Sequence, residues 1–188
     1  MVADRAELEA FWQRWLDTNA AAETAQDWTA LADFYAEDAT YGWNSGPDDN
    51  FMAVGRQQIA ELAVGLEMQG LAGWTYPYQA TVMDDKAGMV IGLWKQVADV
   101  RRPDGGPYEV PGFGCSWFGY ADGAWIWQRD FFDHGNAGAL FIEMMSAGVL
   151  SDGMTARIEA AMSGKRAPGH FRAKDLPAPL WPSVPATA

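Results

Sequence analysis

Apolar residues recur at three- and four-residue steps in the first part of the chain. Between residues 5 and 25 they form one stripe, which predicts a long helix. The same spacing predicts a second helix over 28–35, followed by an extended stretch at 39–43. A third helix is predicted over 55–68, and the turn formers of 44–50 place a loop before it.

From Trp74 onward the pattern changes to that of strands. Turn signals separate β-rich segments, the last of them the two-residue Asp122-Gly123, a strong hairpin signal. An antiparallel meander of four long strands is therefore predicted, at 74–83, 89–101, 108–120 and 125–133.

The end of the chain predicts two short helices and a proline-rich tail. The helices are expected at 138–147 and 153–162, and the tail contains Pro168, Pro177, Pro179, Pro182 and Pro185. Such a tail cannot be a helix or a central strand, and its apolar residues favour an extended strap on a surface. Helices before a curled antiparallel sheet indicate an α+β domain over 1–150, with residues 151–188 packing on it or on a dimer partner.

Charge and composition exclude several classes of partner. A net charge of −12 repels nucleic acids and anionic membranes. No apolar run approaches the ~20 residues of a membrane span, and the N-terminus lacks a signal-peptide pattern, so a cytoplasmic location is expected. Cys115 is the only cysteine, and no spacing indicates a zinc site. Neither a metal nor a cofactor is expected.

Three stretches carry a resemblance to a known superfamily. They are the run from Trp28 to Tyr41, the segment Gly55-Arg56-Gln57-Gln58-Ile59, and the strand ending in Trp127-Gln128-Arg129-Asp130-Phe131-Phe132-Asp133. In this order the chain resembles the nuclear transport factor 2-like (NTF2-like) superfamily, over about residues 5–148. It is most similar to the branch of polyketide cyclases, ketosteroid isomerases and limonene-1,2-epoxide hydrolases. The resemblance implies a conical curved antiparallel sheet covered by N-terminal helices, with a pocket between them.

Asp130 is the first candidate for catalysis. Strand alternation places Gln128, Asp130 and Phe132 on one face, with Trp125 and Trp127 on the other. The epoxide hydrolases have an aspartate in a similar run, so the resemblance implies that Asp130 faces the pocket. A carboxylate among aromatic walls has a raised pKa, which suits a general base. The alternative is a carboxylate at the rim or in a salt bridge.

Lys95 lies in the middle of an apolar strand, and two interpretations stay open. Paired with Asp130, it would carry a proton or stabilise an oxyanion; pointing outward, it would lie at a subunit interface. Asp99 is on the same face of the strand. The epoxide hydrolases have an Arg-x-Asp pair on the corresponding strand, which this chain lacks.

Tyr41, Trp43 and Asn44 lie at the presumed mouth of the pocket, where the epoxide hydrolases have Tyr-x-Asn. Tyrosine and asparagine orient a water molecule or a substrate oxygen. His134 either lines the pocket and titrates near neutral pH, or caps a helix at the surface. His170, in the tail, carries no signal.

Ten Trp, nine Phe and six Tyr indicate a core, an interface or an apolar pocket. An outward face with Trp125, Trp127 and Phe131 predicts a homodimer. The leading hypothesis is a cofactor-independent acid–base enzyme for a small apolar oxygen-bearing molecule, with epoxide hydrolysis ranked before lyase or isomerase chemistry. The alternative is a non-catalytic binding protein. The predicted catalytic residues are Asp130, Lys95, Tyr41, Asn44 and His134, and the predicted substrate-binding residues are Trp43, Trp94, Gln128, Phe132 and Trp117.

Overall fold

The helices and strands follow the predicted order along the chain. The computed structural model describes residues 4–183. In chain order its elements are α1 (Arg5–Ala25), a 3₁₀ helix (Thr29–Phe34), β1 (Tyr35–Asn44), β2 (Asn50–Val54), α2 (Arg56–Gln58), a π-helix (Ile59–Leu66), α3 (Glu67–Gln69), β3 (Trp74–Thr75), β4 (Tyr78–Asp84), β5 (Met89–Trp94), β6 (Val97–Arg101), β7 (Pro107–Glu109), β8 (Gly114–Ala121), β9 (Ala124–Phe132), α4 (His134–Ser146), α5 (Asp152–Met162), β10 (His170–Phe171) and a second 3₁₀ helix (Ala173–Asp175).

The long helix α1 begins and ends with recognisable caps. The side chain of Asp4 accepts hydrogen bonds from the backbone N–H groups of Ala6 and Glu7. Gln26, with a left-handed backbone, ends the helix. The predicted apolar stripe packs on the sheet, where Trp12 and Trp15 both contact Phe118.

A curved sheet of seven strands carries the fold, in the order β10-β2-β1-β9-β8-β5-β4. β1 runs parallel to β9, and the other neighbours are antiparallel. Helices cover its inner face, so the predicted α+β cone is confirmed. The buried core between the two layers is largely aromatic and includes Phe11, Trp12, Trp15, Tyr35, Phe118 and Trp125.

Three of the four predicted long strands bend midway and contribute to a second sheet. β3, β6 and β7 form this sheet of three strands, in the order β3-β6-β7. The prediction of continuous strands is wrong because Pro77 and Pro111 lie at two of the breaks and cannot donate a ladder hydrogen bond. At the third break the Lys95 N–H donates to the Pro77 carbonyl oxygen at 3.2 Å.

Two further predictions of local structure are corrected. The predicted second helix is a 3₁₀ helix that ends at Phe34, and the strand begins at Tyr35. A register shift between β8 and β9, where Gly119 pairs with Trp127 but Tyr120 pairs with Trp125, adds one residue to β9. Trp125 therefore faces the core, where it is fully buried, and not the outer face.

The C-terminal residues pack on the sheet. β10 pairs with β2 and forms one edge of the sheet. Arg129 on the outer face donates to the carbonyl oxygens of Pro179 and Leu180 at 2.9 and 2.6 Å. Trp181 contacts Trp117 on the same face. The tail residue Pro185 lies outside the described residues. None of the helices in residues 4–183 is long and apolar enough to cross a membrane.

Candidate active site

A cavity of about 530 Å³ lies between the inner face of the curved sheet and the helices that cover it. This volume is in the range of small-molecule sites. Aromatic side chains form much of the wall, among them Trp15, Trp28, Tyr41, Trp43, Tyr76, Tyr78, Trp94 and Phe132. Many of the aromatic residues of the sequence therefore lie in the core or on the wall of this pocket.

Asp130 lies on this wall, in β9, and is held by hydrogen bonds to both carboxyl oxygens. The Tyr41 hydroxyl donates to Oδ2 at 2.5 Å, and the Gln128 amide donates to Oδ1 at 2.8 Å. Tyr41 comes from the neighbouring strand β1, where it pairs with Gln128 in register. Two adjacent strands thus fix the orientation of one carboxyl group.

Further residues orient these partners. The Tyr35 hydroxyl donates to Gln128 Oε1, which turns the amide nitrogen of Gln128 toward Asp130. The Trp94 indole N–H donates to Ser116 Oγ at 2.9 Å, and Ser116 also lies within hydrogen-bond reach of Asp130. Because Ser116 Oγ accepts the hydrogen bond from Trp94, its own hydroxyl proton stays free to be donated.

Burial raises the pKa of Asp130, because the charged form is desolvated, although hydrogen bonds from Gln128, Tyr41 and Ser116 favour the anion and oppose the shift. Burial likewise raises the pKa of Tyr41 well above its usual value. The phenol is therefore a donor at neutral pH. Asp130 can therefore take up a proton beside a neutral donor, the Tyr41 hydroxyl.

His134 opens α4 at the rim of the same cavity. Its Nε2 lies 3.0 Å from the Asn44 carbonyl oxygen, which can only accept, so Nε2 carries a proton. Burial lowers the pKa of His134. Asp133, and not His134, caps the helix by accepting the N–H of Asn136.

Charged residues form a second polar cluster on the cavity wall. Glu67 in α3 pairs with Arg157 in α5, and its Oε1 lies 3.3 Å from His170 Nε2. His170 Nδ1 lies 2.7 Å from Asp49 Oδ1. All four side chains line the cavity.

Solved structures with the same arrangement of sheet and helices are known. PrhC from Penicillium brasilianum NBRC 6234 matches with a TM-score of 0.56 and 14% identity, over 81% of this chain and 96% of that one. An NTF2-like protein from Anabaena variabilis ATCC 29413 matches at 0.53 and 13%, over 72% and 96%. A protein described as a SnoaL-like polyketide cyclase, from Jannaschia sp. CCS1, matches at 0.51 and 15%, over 68% and 86%.

The chain has the NTF2-like fold. No protein-family model matches it, and neither does any curated protein. At these identities the likeness concerns the fold alone.

The NTF2-like cavity brings together most of the predicted site residues. Asp130 and Tyr41 are in direct contact. His134 is at the rim, and four predicted substrate-binding residues are also part of the wall: Trp43, Trp94, Gln128 and Phe132.

Three predicted site residues lie elsewhere. Lys95 is half-exposed and pairs with Glu109 at 2.8 Å, so its pairing with Asp130 is wrong. It falls in the break between β5 and β6, where strand alternation no longer determines direction. Trp117 lies on the outer face against Trp127 and Trp181. The side chain of Asn44 is exposed, and only its carbonyl oxygen contacts the site, through His134.

Sequence reasoning missed several residues of the NTF2-like cavity. Ser116 is one residue from Trp117 and therefore on the opposite, inner face of β8, which alternation from Trp117 could have indicated. Glu67 follows Ile59 and Ala63 at four-residue steps, so a charge on an apolar helical stripe was its signal. His170 had no local sequence signal, because it lies at the cavity only through the pairing of β10 with β2.

Proposed function

We propose that the protein is a cofactor-independent acid–base enzyme that acts on a small, largely apolar, oxygen-bearing molecule. The observation that carries this proposal is Asp130, a partly buried carboxyl group on the wall of a largely aromatic cavity, in contact with the Tyr41 phenol. A desolvated carboxylate among apolar walls is a stronger base than one in water. The wall supplies flat apolar surface for the body of the substrate.

The geometry favours isomerisation, cyclisation or lyase chemistry over epoxide hydrolysis. Epoxide hydrolysis of the type considered above uses two carboxylates and an arginine. Here Asp99 is exposed, and the Arg129 guanidinium is turned to the outer face by Pro179 and Leu180. One base beside neutral donors in a largely apolar cavity is instead what proton abstraction next to a carbonyl requires.

In the proposed step, Asp130 removes a proton from a carbon next to a carbonyl group. The C–H bond breaks and its electron pair forms the C=C bond of the enolate, the π pair of the carbonyl moves to its oxygen, and the proton stays on the carboxyl group. Burial holds the pKa of both Tyr41 and Tyr78 above its usual value, so the two phenols keep their protons. The proton of Tyr41 is already donated to Asp130, so Tyr78, which also lines the cavity, is the available donor for the enolate oxygen.

Proton exchange in D₂O tests this proposal without knowledge of the natural substrate. Aromatic and cyclic ketones such as 2-tetralone, incubated with the protein, are expected to gain deuterium next to the carbonyl, measured by NMR. Asp130→Asn should slow this exchange by a factor of about 10² or more, since it removes the base. The control Lys95→Met, outside the cavity, should exchange at the wild-type rate.

Equal exchange by the wild type and Asp130→Asn would refute the assignment of Asp130. Binding of these ketones without any exchange would favour a non-catalytic binding protein of the same fold.

A further inference from the structure

The second polar cluster is formed by the C-terminal part of the chain meeting the helical segment that follows β2. Glu67 is buried, with 7% of its side chain exposed, and His170 is nearly so at 10%. Arg157 is exposed to 34%, and Asp49 to 58%. The acidic partner that faces water is therefore Asp49, and the one inside is Glu67.

Two basic side chains, Arg157 and His170, contact the buried carboxylate of Glu67. Burial lowers the pKa of His170, but hydrogen bonds and charges from Glu67 and Asp49 outweigh that effect and raise it. Glu67 thus contacts Arg157 and His170, while water screens the charge of the exposed Asp49. An anionic group on a ligand would be stabilised here.

Arg157 still has donors to offer. A guanidinium has five N–H groups. Glu67 takes one through its carbonyl oxygen at 2.7 Å and another through its carboxylate. The other N–H groups have no hydrogen-bond partner among the described residues, and Arg157 lines the cavity. Both N–H groups of a protonated His170 are used by Glu67 and Asp49, so His170 is not itself a donor to a ligand.

Tyr76 connects this cluster with Asp130. Burial is the main cause of the raised pKa of Tyr76. The charges of Glu23 and Asp130 raise it further, and the charge of Arg157 lowers it. The Tyr76 ring also contacts Trp94, whose indole N–H is bonded to Ser116 beside Asp130. Tyr76, Asp130 and Arg157 all line the same cavity, so one ligand in it can contact both polar regions.

We propose that Arg157 binds an anionic oxygen of the substrate, and that Glu67 and His170 position its guanidinium. The substrate is then an aromatic carboxylate or phenolate with its reacting carbon near Asp130. Guanidinium groups recognise carboxylates through paired, charge-assisted hydrogen bonds. The proposal rests on the proposed function for the reaction, but the binding of the anion does not depend on turnover.

Calorimetric titration with biphenyl-4-carboxylate and its methyl ester tests the proposal. The wild type should bind the acid at least about tenfold more tightly than the ester, because only the acid carries a charge for Arg157. Arg157→Met should bind the two equally. The control Arg172→Met, which removes an exposed partner of Asp175, should keep the preference.

Loss of Arg157 leaves the buried carboxylate of Glu67 with one partner fewer, which destabilises the fold. A second variant therefore removes the carboxylate as well. Glu67→Gln combined with Arg157→Met removes both charges and should also bind acid and ester equally. Equal affinities in the wild type, preference for the ester, a preference for the acid that survives in Arg157→Met, or binding of neither compound would overturn the proposal.

Failure of the reaction and failure of this inference are distinguishable. Asp130→Asn should lose proton exchange but keep the preference for the acid over the ester. Arg157→Met should lose that preference. Equal binding of acid and ester by the wild type, with exchange still lost in Asp130→Asn, would overturn this inference alone. Wild-type exchange in Asp130→Asn, with the preference for the acid kept, would overturn the reaction alone.

Discussion

At the scale of single residues, Asp130 and its neighbour Arg129 face opposite sides of the sheet. Asp130 is enclosed with neutral donors, whereas Arg129 donates to the carbonyl oxygens of Thr40, Pro179 and Leu180. Burial lowers the pKa of Arg129 to about 10. The carboxyl group therefore has no directly bonded cation among the described residues, which is why its burial remains costly.

The raised pKa of Asp130 predicts a dependence of stability on pH. The folded protein holds this proton to a higher pH than the unfolded chain does, so stability falls as pH rises from the unfolded pKa, ~4, through the folded value. The Asp130→Asn variant has no carboxyl group to titrate at this position, so it does not lose this stability as the pH rises. The melting temperature of the variant relative to the wild type should therefore rise between pH 4 and pH 8, as measured by thermal unfolding.

The control for this prediction is Asp38→Asn, which changes an exposed carboxylate in β1 and keeps the change in net charge the same. Its melting temperature relative to the wild type should show a much weaker trend. If the difference in melting temperature between Asp130→Asn and the wild type stays constant over this pH range, the raised pKa of Asp130 is contradicted.

At the scale of elements, close packing across β5 and β8 fixes the aromatic wall. A Cβ atom at Gly114 would lie 2.0 Å from Cε3 of Trp94, its partner in register. Trp94 thus lies over a glycine, which leaves its indole N–H directed to Ser116. Glycine at this position is required by the ring above it and not by its backbone angles.

Gly114→Ala should therefore displace Trp94 and disturb the wall next to Asp130. We expect a loss of about 1–3 kcal/mol in the free energy of unfolding, typical of overpacking, measured by urea denaturation. Proton exchange should slow as well. Gly138→Ala, in α4, is the control, because its Cβ would contact nothing within 4 Å. It should leave stability unchanged or raise it slightly.

The bends of the strands show which element boundaries local sequence predicts. Prolines at 77 and 111 were visible, but the change of direction between β5 and β6 contains none. There the change of direction follows from the second sheet, because β6 pairs with β3 and β7. Lys95 lies in this break, so its direction followed from tertiary pairing and not from alternation.

At the scale of the whole molecule, the tail covers only part of the outer face of the sheet. Phe131, Cys115 and Leu93 are neighbours in register on β9, β8 and β5, and Phe131 and Leu93 are 44% and 37% exposed. Val82 on β4 is 58% exposed. This row of apolar side chains is the outward surface that we predict to form a homodimer, now without Trp125.

Phe131→Glu should convert the predicted dimer to a monomer, because two copies of the same face would each bury a carboxylate. Sedimentation velocity at micromolar concentration measures the change. Met162→Glu, at an 81% exposed position of α5, is the control and should leave the dimer intact. A wild-type protein that sediments as a monomer would contradict the prediction.

The sequence by itself determined the order of elements, the fold and the candidate base. Periodicity and turn residues indicated α1 and the hairpins, because these features depend on residues close together along the chain. The resemblance of the Arg-Asp-aromatic run to that of the epoxide hydrolases indicated Asp130. What surrounds Asp130 was decided only in the tertiary structure. Parallel pairing of β1 with β9 sets Tyr41 on the carboxylate, and pairing of β10 with β2 brings His170 to Glu67. Contacts between residues separated by about 90 positions or more leave no local pattern in a single sequence, so the hydrogen bonds and charges of the site follow from the folded chain alone.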